Sequence, residues 1–91
     1  MNITPRAIAY AESLGACGEA LRWLRENPRK PISVERLVSE RLEWALWFLS
    51  AANPVAYKFA LKSTLDRLAH HDTSPKDFED EITKILERLE S

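Results

Sequence analysis

The chain has 91 residues, 45% of them hydrophobic and 30% charged, with a net charge of −1. That balance excludes a disordered polymer, and it lacks both the basic excess of a phosphate-tracking protein and the acidity of a DNA mimic. Two glycines are few for a turn-rich β fold, and a single cysteine, Cys17, rules out an internal disulfide framework.

The charge is unevenly spread. Residues 1–32 carry five basic and three acidic side chains, residues 33–72 carry five of each, and residues 73–91 carry three basic and six acidic. Leu, Ala, Glu, Arg and Lys dominate, and these are strong helix formers. The expectation is one all-α domain over residues 1–91, a compact bundle of five or six short helices. With one cysteine, no apolar leader and no long apolar run, a cytoplasmic protein without a membrane partner is expected.

Thr4-Pro5 opens the first helix, with Ile3, Ala7, Tyr10 and Leu14 on one face and Gly15 as its stop. A second helix spans roughly residues 16–26 and places Ala20, Leu21, Trp23 and Leu24 on a broad apolar face. Asn27-Pro28 ends it, and residues 27–32 form a stiff, proline-bearing linker. Ser33 caps a short helix carrying Val34, Leu37 and Val38, which runs into or kinks at a helix over 41–52. Asn53-Pro54 repeats the cap-plus-proline signal and begins a long helix to about His70. After the turn at 72–75, Ser74 and Asp77 read as a capping box for the last helix. Its stripe of Phe78, Ile82, Ile85, Leu86 and Leu89 is the clearest amphipathic pattern in the chain. The expected core is Trp23, Trp44, Phe48, Phe59, Leu65, Phe78 and Ile82.

Signals for chemistry are sparse. Asp66 and His70 could share an ion, but two ligands do not make a metal site, so neither metal nor cofactor is expected. Cys17 has no activating partner in sequence and reads as a small buried hydrophobe. No phosphate loop, zinc signature or carboxylate pair occurs, and a non-enzymatic protein is expected. Arg22, Arg25, Arg29 and Lys30 form a modest basic patch. Asp77, Asp80 and Glu81 fall opposite Phe78 and Ile82, where they either solvate a first turn or meet a basic partner. Trp47 shares a narrow polar stripe with Glu43 and Ser50 on an otherwise apolar helix. Either another segment covers that ring, or it stands free as a binding anchor.

The segment Ala16-Cys17-Gly18-Glu19-Ala20-Leu21-Arg22-Trp23-Leu24, with Glu43-Trp44-Ala45-Leu46-Trp47-Phe48-Leu49 about twenty residues on, resembles a family of small bacterial and phage helical proteins described as immunity proteins. Members often carry Ala-Cys-x-x-Ala-x-x-Trp-Leu and then Asp-Trp-x-Leu-Trp-Leu. Here Glu43 stands where aspartate is usual, and Phe48 interrupts the Trp-Leu ending. The resemblance implies a protein that binds another protein. The expected function is therefore inhibition of a protein partner by steric occlusion, through Glu43 and Trp47. Asp77, Asp80 and Glu81 would join them if the partner is basic, such as a nuclease. Two alternatives stand beside it. One is a nucleic-acid regulator with a helix-turn-helix beginning at Ser33–Glu40, and the other a homo-oligomer assembled through the last helix.

Overall fold

A computed structural model of the chain describes residues 1–26 and 31–91. Among the described residues six helices follow one another: α1 (Pro5–Ser13), α2 (Gly18–Arg25), α3 (Val34–Glu40), α4 (Leu42–Ala52), α5 (Pro54–Leu68) and α6 (Lys76–Glu90). No strand occurs among them. Asn2 and Ser33 form one isolated antiparallel bridge, in which the Ile3 amide donates to the Ile32 carbonyl and the Val34 amide to the Met1 carbonyl. This ties the start of the chain to the start of α3. The all-α bundle expected from composition is the fold observed. Asn27, Pro28, Arg29 and Lys30, the first part of the expected stiff linker, lie outside the described residues.

The helix starts follow from local chemistry. Thr4 Oγ1 accepts from the Ala7 amide at 3.2 Å, Ser33 Oγ from Arg36 at 3.0 Å, and Asn53 Oδ1 from Ala56 at 3.1 Å. Each satisfies an amide that the helix itself leaves unpaired, worth about 1 kcal/mol. Pro5 and Pro54 follow the first and third of these caps, where a missing N–H costs nothing. Gly15, at φ +99°, turns the chain out of α1. The expected capping box at Ser74 does not form. Helix α6 starts one residue later than the box requires, so Pro75 is the cap residue, and its side chain has no oxygen to accept from the first-turn amides. The Ser74 amide instead donates to Asp72 Oδ1 at 2.9 Å, just after His71 takes a left-handed φ of 63°.

Helices α4, α5 and α6 pack on one another, α3 lies on α4 and α6, and α1 joins α6 to α2. The core is built from Val34, Leu37 and Val38 of α3, Ala45, Phe48 and Leu49 of α4, and Phe78, Ile82 and Leu86 of α6, with Ala7, Ile8 and Ala11 of α1 closing one side. Val34, Val38, Leu49 and Ile82 are its most deeply buried large side chains, each stabilising the fold by about 1.5–3 kcal/mol. The stripe on α6 thus faces the chain's own core, so it is not free to assemble copies.

Four of the seven expected core residues sit elsewhere. Trp23 and Trp44 are half-buried and pack against the core from its edge. Phe59 and Leu65 are 69% and 57% exposed. The reason is angular. Helix α5 turns Ala56 and Ala60 inward, and at 100° per residue Phe59 and Leu65 then lie about 100° and 140° from Ala60. Small residues face inward because α4 and α6 already bring Phe48, Leu49 and Phe78 to that space. Tyr57 fills the remaining edge against Phe78, with ring centroids 6.4 Å apart.

One carboxylate is held unfavourably. Glu79, half-buried on α6, has its pKa raised by burial, and the nearby charges of Glu35 and Asp80 push the same way. Glu35 is shifted down, chiefly by its own backbone amide and then by the Met1 ammonium 3.4 Å away. A raised folded pKa means that ionised Glu79 opposes folding above that pKa and is relieved as pH falls through it. Glu79→Gln should therefore be more stable than the parent at pH 7, with the advantage shrinking toward pH 4. Urea midpoints at the two pH values check this, and an advantage independent of pH would show that charge is not the cause.

Candidate functional site

An apolar cleft of about 280 Å³ opens between the α1–α2 arm and the α4–α6 body. Its walls are unequal in bulk. Ala7 and Ala11 of α1, Gly15, Ala16 and Cys17 of the connection, and Ala20 and Leu24 of α2 line one side. Trp44, Trp47 and Phe48 of α4, with Ile82 and Leu86 of α6, line the other, and Ile3 and Leu37 complete it. Alanines too short to reach the indoles leave the hollow between them. Cavities of this kind favour an apolar guest, because the walls are predominantly apolar side chains.

Within the arm α1 packs directly on α6, with Tyr10 edge-on to Phe48 at 6.0 Å, and α2 meets the body through an aromatic stack. Trp23 of α2 meets Trp44 of α4 edge-on, with centroids 5.6 Å apart and planes at 68°. The Arg41 guanidinium lies 5.5 Å from the Trp23 ring and 5.3 Å from the Trp44 ring, and Arg36 lies 5.6 Å from Trp23. Such cation–π contacts contribute about 0.5–1 kcal/mol each when exposed. Arg41 can serve both rings because it sits at the break between α3 and α4, with φ −136° and ψ 58°.

Trp47 is 39% exposed at the cleft and is not covered by another described segment. Glu43 is exposed one turn before it, and Ser50, donating to the Trp47 carbonyl at 2.9 Å, lies one turn after. The polar stripe read from sequence is therefore a real edge of α4. Asp77, Asp80 and Glu81 do not line the cleft. Asp77 is half-buried 3.0 Å from Arg67, too poorly aligned for a hydrogen bond, and Arg67 also reaches Asp72 at 3.3 Å. Glu81 pairs with Lys84 at 3.2 Å, and Asp80 is exposed.

Other candidates from sequence fall differently. Cys17 is exposed at the cap of α2, not buried, because the Gly15–Gly18 connection runs along the surface. Among the described residues no group of three or more His, Cys, Asp or Glu is placed to hold a metal ion. A single residue, Arg41, joins α3 to α4, shorter than the three or four residues of a helix-turn-helix. Within the basic patch Arg25 pairs with Glu12 at 2.9 Å, and Arg29 and Lys30 lie outside the described residues. No described helix is long and apolar enough to cross a membrane.

No family model matches this chain, and comparison with curated proteins and with solved structures returned no match.

Proposed function

We propose that this chain is a non-enzymatic binding protein that occludes a protein partner, as an immunity protein or a phage-encoded inhibitor does. The observation that carries the reading is convergence. Ala16, Cys17, Ala20 and Leu24 come from one of the two segments that resemble immunity proteins, and Trp44, Trp47 and Phe48 from the other, yet all seven line one cleft. In this reading a partner inserts an apolar side chain beside Trp47, which supplies rigid contact area with little loss of rotamer freedom. Glu43 on the same edge and exposed Asp80 steer a basic partner such as a nuclease, while Asp77 and Glu81 are mostly engaged by Arg67 and Lys84. An exposed, unpaired thiol at Cys17 favours a reducing cytoplasm.

The test is affinity capture from the cells that produce the protein, comparing the parent with Trp47→Ala and Glu43→Lys. Both changes lie on an exposed edge, so helical content should stay unchanged by circular dichroism. A partner retained by the parent should be lost or weakened at least about tenfold by Trp47→Ala, and its activity should fall with stoichiometric addition of the parent. Equal retention by both variants would discard this surface.

A further inference from the structure

We infer that the cleft between the α1–α2 arm and the body is a binding site for a small, neutral, flat aromatic molecule of about two fused rings. Size comes first. A dry apolar hollow of about 150 Å³ holds one benzene ring, and this one measures about 280 Å³. That volume lies just under the usual range for small-molecule pockets, and it cannot take in a helix about 10 Å across. An extended peptide fits no better, because its N–H and C=O groups would meet side chains that offer almost nothing to pair with.

Charge and shape narrow the class. None of the described residues lining the cleft is Asp, Glu, His, Lys or Arg, so an ionised guest would give up its hydration without a counter-charge. Trp44, Trp47 and Phe48 form one wall, and contact between rings gains more than the same buried area of aliphatic chain. Ala7, Ala11 and Ala20 of the opposite wall end at Cβ, so the space between the walls is a slot that suits a planar guest. Ile82 and Leu86, 1% and 3% exposed, close its floor. Gly15, Cys17 and Trp47 are exposed and mark its mouth. The hollow has a way in and a dry end.

The probe is indole, with indoleacetate as its anionic counterpart and octanol as a neutral chain of similar volume. Titrated into the isotope-labelled intact chain, indole should move the side-chain N–H signals of Trp44 and Trp47 along a saturable curve, with a dissociation constant below about 1 mM. The amide signals of Val55 and Phe59, exposed on α5 and outside the cleft, should stay in place. Indoleacetate and octanol should each bind at least about tenfold more weakly. Ala16→Leu and Ala20→Leu fill the hollow from two positions, and each should weaken indole binding at least about tenfold with circular dichroism unchanged. No saturation up to about 10 mM indole, equal affinity for indoleacetate or octanol, or binding that neither leucine substitution weakens would overturn the inference. It shares its cleft with the partner-binding reading but needs no partner. A captured partner without indole binding sinks it alone, and indole binding with no partner captured leaves it standing.

Discussion

Phe78→Ala should cost about 3–5 kcal/mol of folding stability, while Phe59→Ala should cost less than about 0.5 kcal/mol. The residue types are identical and both lie on long helices, so propensity cancels between them. What differs is environment. Phe78 is buried against Tyr57 and the α4–α6 core, whereas Phe59 stands 69% exposed on the far side of α5. Truncating the first leaves a cavity lined by side chains that cannot collapse into it, and truncating the second removes atoms that already meet water. Urea denaturation of the two variants checks this. Equal costs at the two positions would mean that α5 is rotated from the orientation described.

The second large effect concerns the inward face of that helix. Ala60→Leu adds apolar volume where α5 rests on α4 and α6, and should destabilise by about 1–3 kcal/mol through overpacking. A simple count of hydrophobic residues gives the opposite sign. Leu61→Ala, one position along and exposed, should change stability by no more than about 0.5 kcal/mol. Thermal unfolding followed by circular dichroism checks both. A neutral or stabilising Ala60→Leu would show that the α5 interface is loose, and the angular account of Phe59 and Leu65 would fail with it.

That angular account also explains what could be read from sequence. Caps at Thr4, Ser33 and Asn53 were legible because each depends on one side chain and an amide three residues on. The α6 stripe was legible because only one of its faces is apolar. Helix α5 was not, because it is apolar on two faces and sequence favours burying the larger one. Which face turns inward depends on the bulk that α4 and α6 bring, a property of packing and not of α5. The edge formed by Glu43, Trp47 and Ser50 was visible from helical spacing. The cleft beside it was not, since a hollow arises where Ala7, Ala11, Ala16 and Ala20 meet indoles contributed by a distant segment. Alanines spaced four apart near a tryptophan pair were the available signal, and they read equally well as ordinary helix formers.

Photo-crosslinking asks whether a partner docks on the Trp47 edge. A benzoylphenylalanine placed at position 47 should, on irradiation in the producing cells, yield one protein adduct of defined mass. The same group at Glu87, exposed on α6, should yield none of that mass. No adduct at 47, or the same adduct from both positions, would mean that partners do not dock on this edge.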